Sequence, residues 1–224
     1  MPLATYKDLC IDASDAPALA AFWSRLLGWP EDRHGDGPVC LRDRGRAMVW
    51  VNPVPEPVTA KNRLHIDVNA ESLEPALAAG ARVVDDSHPW TVLSDPDGQL
   101  FCLFRRDPPI DHPFYELGWD VTGGVAECRR LADWWAGALG ATVNHDPDIS
   151  WVADIRNAPF QAIDFAPVPE AKVTKNRVHI DVTTPDVSAL LAAGARRIRA
   201  KGDGIGWDVL VDPEGNEFCA FTPD

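Results

Sequence analysis

The segments KNRLHIDV (61–68) and KNRVHIDV (175–182) differ at one position in eight. Both alternate apolar and polar residues, the period of a strand with one face on a core. Leu64, Ile66 and Val68 fall on one face, and Arg63, His65 and Asp67 on the other. In the second copy Val178, Ile180 and Val182 oppose Arg177, His179 and Asp181 in the same way. A base, an imidazole and an acid in line on a sheltered face could bind a metal, move a proton or hold an anion. The same groups could equally satisfy one another inside a barrel wall, and duplication would copy either arrangement.

Outward from these segments the chain repeats in the same order. LAAGAR recurs at 77–82 and 191–196, and WTVLSDPDGQLFCLF (90–104) answers WDVLVDPEGNEFCAF (207–221). LAAFWSRLLG (19–28) matches LADWWAGALG (131–140) more loosely, and all offsets lie between 112 and 117 residues. This is a duplication. The polar, Pro-rich RRDPPIDHP (105–113) separates the copies, which predicts domains at 1–108 and 109–224.

Each copy holds a second repeat of pattern. YKDLCID (6–12) alternates, with Leu9 and Ile11 against Asp8, Cys10 and Asp12. Ser14 or Asp15 caps a helix striped by Leu19, Phe22, Trp23 and Leu26, and Gly28 stops it. Strands near 38–42 and 46–52 follow. A new unit then begins, with a strand at 63–69, a helix near 72–79 and strands near 81–86, 90–94 and 99–105. The predicted class is α+β: four β-α-β-β(-β) modules with helices outside and sheets free to curl into cups.

Composition narrows the function. The 224 residues are 46% hydrophobic and 25% charged, a globular rather than a disordered balance. No apolar run approaches the ~18 residues of a membrane span. The N-terminal stretch lacks the basic start and apolar core of a signal peptide. Five scattered cysteines fit reduced thiols better than a disulfide framework, so a cytoplasmic protein is expected. A net charge of −13, with no Lys/Arg run longer than two, argues against nucleic acid. The expected partner is a small-molecule ligand, and the expected state is a monomer or homodimer. GDGIG (202–206) is not followed by a helical pattern and is not read as a phosphate loop.

The DPDG (95–98) and DPEG (212–215) segments carry hairpin-turn chemistry. Cys102 and Cys219 then fall mid-strand, as small buried hydrophobes or, if near His65 or His179, as metal ligands or nucleophiles. Of nine tryptophans, Trp23, Trp134 and Trp135 lie on helix stripes and belong to the core. Trp50, Trp90, Trp151 and Trp207 lie in strands and could line a cavity that stacks on a flat or cationic ligand.

Together the four modules, the K-N-R-[LV]-H-I-D-V strands and the D-P-[DE]-G-x-x-F-C hairpins resemble the vicinal oxygen chelate superfamily. Within it they resemble the glyoxalase-like branch, as two tandem domains. The resemblance implies cup-shaped half-barrel mixed sheets and a divalent metal in one or both cups. It aligns His65 and His179 with one ligand position and Asp8 and Asp120 with the first-strand position. Cys102 and Cys219 fall where metalloenzymes of the superfamily carry Glu. An Asp/His/Cys set suits zinc and is not the His/His/Glu set of extradiol cleavage. The implied activity is lyase or isomerase chemistry. Asp67 or Asp181 would orient the imidazole or act as base, and Arg63, Arg177 and the four strand tryptophans would contact the ligand. The alternative is a metal-free binding protein of the bleomycin-resistance type.

Overall fold

In the computed structural model, which describes residues 1–33, 35–202 and 204–223, the chain forms four modules of the expected order. Asp203, inside the 202–206 segment, lies outside the described residues. The first module is β1 (Thr5–Ala13), α1 (Ala16–Leu27), β2 (Glu31–Arg33), β3 (Val39–Asp43) and β4 (Arg46–Pro53). The second is β5 (Leu64–Ala70), α2 (Glu74–Ala78), β6 (Arg82–Asp85), β7 (Thr91–Ser94) and β8 (Leu100–Arg105). The third is β9 (Phe114–Thr122), α3 (Val125–Leu139), β10 (Thr142–His145), β11 (Ser150–Ala153) and β12 (Ala162–Val168). The fourth is β13 (Val178–Thr183), α4 (Val187–Ala192), β14 (Arg196–Arg199), β15 (Asp208–Val211) and β16 (Glu217–Phe221). Strand β2, three polar residues, has too little alternation to be legible in sequence.

Local chemistry sets the element ends. Asp15, not Ser14, caps α1 by accepting from the Ala18 N–H at 3.0 Å, and Gly28 closes the helix at φ 71°. Ser14 bonds Asp97 instead. In the β7–β8 hairpin the Asp95 carboxylate accepts from the N–H groups of Asp97 (3.0 Å) and Gln99 (2.9 Å). Asp212 repeats this with Glu214 and Asn216, both at 2.9 Å.

The strands form two eight-stranded mixed sheets, ordered β14-β15-β16-β13-β1-β4-β3-β2 and β10-β11-β12-β9-β5-β8-β7-β6. Each cup therefore takes one module from each half of the chain. At the centre of the first sheet β1 pairs antiparallel with β13, and at the centre of the second β5 pairs antiparallel with β9. The K-N-R segments stitch the sheets together reciprocally. The Arg63 N–H donates to Asn176 Oδ1 at 3.2 Å, and the Arg177 N–H donates to Asn62 Oδ1 at 2.8 Å.

Core packing follows the alternation. Leu64, Ile66, Val68, Val178, Ile180 and Val182 are all buried against the helix layer. Trp23 packs edge-on to Phe22 and Phe101, and Trp135 to Trp134 and Phe218, so each aromatic cluster joins a long helix lying on one sheet to a strand of the other. Burying each such ring contributes about 1.5–3 kcal/mol. Trp134 is only partly buried, and its Nε1–H donates to the Ala193 carbonyl at 2.8 Å. Among the described residues no helix is long and apolar enough to cross a membrane.

Candidate functional site

Each sheet curls around one cavity, of about 780 Å³ in the first cup and about 900 Å³ in the second. Strand alternation decides which side chains enter, and register decides which of them meet.

In the first cup Cys10 stands opposite His179, and Asp8 stands opposite Asp181. Cys10, His179 and Asp181 each place one donor atom within 4.8 Å of the other two. Cys10 Sγ donates to Asp181 Oδ2 at 3.4 Å, and His179 Nε2 lies 3.7 Å from Asp181 Oδ1. Two buried atoms, His179 Nδ1 and Asp181 Oδ1, have no hydrogen-bond partner. Burial pushes the His179 pKa down to about 4, so its imidazole is neutral at pH 7. Burial, with the charge of Asp8, pushes Asp181 up to about 8. Around this trio Lys7 pairs with Asp8 and Lys175 with Asp12, both at 2.6 Å, and Lys172 with Glu217 at 2.9 Å.

In the second cup His65 stands opposite Gly118, and Asp67 lies between Glu116 and Cys102 in register. His65, Asp67 and Cys102 also bring donors within 4.8 Å of one another. Here His65 Nδ1 and Asp67 Oδ1 are hydrogen-bonded at 2.6 Å. Burial alone would lower the His65 pKa, but the Asp67 charge and hydrogen bond raise it well above 6.5. Glu116 and Asp164 share this face; burial, with repulsion from neighbouring carboxylates, holds them up to about 8 and about 7.

The sequence-derived candidates divide as follows. His65, Asp67 and Cys102 do meet, without Asp8, which belongs to the other cup beside Asp181. His179 and Asp181 meet with Cys10, and Cys219 flanks Asp181 in register. Asp120 sits in the second cup, paired to Lys61 at 2.6 Å, and not with His179. Trp50 and Trp207 line the first cavity, and Trp90 and Trp151 the second. Arg63 and Arg177 line neither cavity among the described residues. Their guanidinium groups donate to the backbone carbonyls of Glu170 (2.8 Å) and Glu56 (2.7 Å), which makes them joints between the sheets. Cys10, Glu116 and Asp164 were not singled out from sequence. The alternation of YKDLCID already put Cys10 on the face of Asp8, and that of FYELGWDV puts Glu116 with Asp120.

The donor chemistry separates the cups as metal sites. Tetrahedral ligands about 2.0–2.3 Å from one ion lie roughly 3.3–3.8 Å apart. In the first cup the Cys10 Sγ–Asp181 Oδ2 distance of 3.4 Å and the His179 Nε2–Asp181 Oδ1 distance of 3.7 Å match such a span. In the second cup His65 Nδ1 and Asp67 Oδ1 are closer than two ligands of one ion would be, and they satisfy each other.

A model of the glyoxalase-like domain family matches residues 8–104 and 120–221. No curated protein sequence matches the chain. Among solved structures, glyoxalase I from Zea mays is similar at 15% identity, covering 97% of this chain and 92% of that one with a TM-score of 0.65. A protein from Bacillus subtilis is similar at 10% identity, covering 99% and 86% with a TM-score of 0.62. At such identities the likeness is one of fold.

Proposed function

The chain belongs to the glyoxalase-like domain family, matched over both tandem segments, and from that premise we propose that it is a metal-dependent enzyme of the lyase or isomerase type, acting on a small molecule in the first cup. One observation carries this reading. Cys10, His179 and Asp181, brought from opposite ends of the chain, gather three different donor atoms within 4.8 Å at the wall of the 780 Å³ cavity. These residues would hold a divalent ion, and the mixed sulfur, nitrogen and oxygen set favours zinc. When bound, the ion would supply Lewis-acid polarisation of neighbouring substrate oxygens.

The chain's own side chains prepare that site. Burial keeps His179 neutral, so a ring nitrogen is available as a lone-pair donor. Asp181 Oδ1, 3.7 Å from His179 Nε2, stands where both side chains would reach one ion. The lysine pairs neutralise Asp8, Asp12 and Glu217, which would otherwise crowd the site with charge. Trp50 and Trp207 offer apolar faces that position a substrate and exclude water. The five free cysteines suit a reducing compartment, the cytoplasm.

Elemental analysis of protein purified without affinity tag or chelator tests the reading. About one equivalent of divalent metal per chain is expected, lost in Cys10→Ala and His179→Ala and kept in His65→Ala. Protein that holds no metal and takes none up on reloading would overturn it, as would metal retained in His179→Ala.

A further inference from the structure

The second cup has a charge balance unlike the first. Five carboxylates line it, Asp67, Glu116, Asp120, Asp146 and Asp164, against one lysine, Lys61. Lys61 is paired to Asp120 and His65 to Asp67, both at 2.6 Å. Among the described residues no lysine or arginine pairs with Glu116 or Asp164, and Asp164 Oδ1 is buried without a hydrogen-bond partner. In the first cup every such carboxylate but Asp181 meets a lysine. An unpartnered buried carboxylate oxygen is costly unless something completes it.

Aromatic rings line the same cavity as these two acids. Trp90 packs on Phe104 with ring centroids 5.5 Å apart, and Phe104 on Tyr115 at 5.1 Å. The same rings already receive a cation: the Arg106 guanidinium lies 5.2 Å from the Phe104 centroid and 5.4 Å from that of Tyr115. Trp151 lines the cavity as well, and its 900 Å³ is the scale of a small organic ligand rather than a bare ion.

We propose that the second cup is a receptor for a flat organic cation, a ring bearing an amidinium, guanidinium or primary ammonium group. Its N–H groups bond Glu116 and Asp164, and its ring lies among Trp90, Phe104 and Trp151. Paired N–H donors match adjacent carboxylates, and aromatic faces favour a cation over a neutral guest of equal shape. The site is separate from the metal reading of the first cup and does not depend on it.

Calorimetric titration with benzamidine, neutral benzamide and anionic benzoate tests this on the unmodified chain. Benzamidine is expected to bind one per chain, benzamide at least about tenfold more weakly and benzoate not at all. Asp164→Asn and Glu116→Gln should each weaken benzamidine about tenfold, whereas His179→Ala in the first cup and added chelator should leave it unchanged. Absence of benzamidine binding, or equal affinity for benzamide, would overturn the proposal. So would a loss caused by His179→Ala in place of Asp164→Asn. Should either carboxylate variant fail to fold, the benzamidine–benzamide comparison still decides.

Discussion

The imidazole of His65 occupies the space that a side chain at Gly118 would fill: a Cβ built there would lie 2.1 Å from His65 Cε1 and 2.7 Å from Nδ1. The two residues are register partners across the centre of the second sheet. At the matching place in the first sheet Cys10 faces His179 and does carry a side chain. There the His–Asp separation is 3.7 Å, against 2.6 Å between His65 and Asp67. One glycine-for-cysteine difference thus accompanies the contrast between a cup whose His179 Nδ1 and Asp181 Oδ1 lack partners and one whose histidine is bonded to an aspartate.

Gly118→Ala should force His65 off this seat, because the conflict is with a ring packed between strands. A loss of about 1–3 kcal/mol is expected, the usual cost of overfilling a packed site. Urea denaturation measures it, and the His65 imidazole resonance should move toward that of an unpaired ring. Wild-type stability with an unchanged His65 resonance would contradict the geometry.

The two histidines should titrate in opposite directions. His65 should remain protonated above its ordinary value of about 6.5, and His179 should stay neutral down to about 4. The stability from the His65–Asp67 pair is therefore present below about pH 6.5 and is lost as pH rises through the higher folded value. NMR titration of the imidazole C–H signals checks this. Asp67→Asn should drop His65 to 6.5 or below, since burial alone lowers it.

Glu116 and Asp164 work the other way. Their folded values of about 8 and about 7 lie above the roughly 4 of an unfolded chain, so the folded state holds protons that the unfolded state has released. Their contribution to stability falls as pH rises from about 4 to about 8. Urea midpoints measured near pH 5 and pH 8 should differ less in Glu116→Gln than in the unmodified protein. An equal or steeper fall in the variant would refute this.

Asn62 and Asn176 hold the two K-N-R joints by accepting the N–H groups of Arg177 and Arg63. Asn176→Ala leaves the buried Arg63 N–H without its acceptor and also removes a 3.1 Å bond to Asn216. A cost of about 1–3 kcal/mol is expected. For 224 residues each kcal/mol is roughly 2–4 °C in Tm, which calorimetry resolves. Asn62→Ala should cost a similar amount, because it removes the acceptor of the partly buried Arg177 N–H and a 2.7 Å bond to the Leu64 carbonyl.

Much of the fold was legible because it rests on near neighbours. Alternation in YKDLCID and KNRLHIDV gave strand faces, Ser14 or Asp15 with Gly28 gave the ends of a helix, and D-P-x-G gave the hairpins. The four strand tryptophans were legible as cavity residues for the same reason. The arginines were misplaced because alternation breaks at a strand's first residue: Arg63 and Arg177 precede β5 and β13, where the chain turns from one sheet to the other.

By itself the sequence determined the module, its fourfold repetition and the side of each strand on which His, Asp and Cys stand. These depend on steric alternation and turn preferences within a few residues. Only the tertiary structure decided which modules share a cup, and so which acids meet which histidine. Cys10 and Asp181 are 171 positions apart, and the bond between them exists because β1 pairs with β13 rather than with β5. Both choices offer the same apolar faces and the same unpaired strand edges. The selection comes from the summed packing of whole modules and the reciprocal asparagine joints, which no local pattern records.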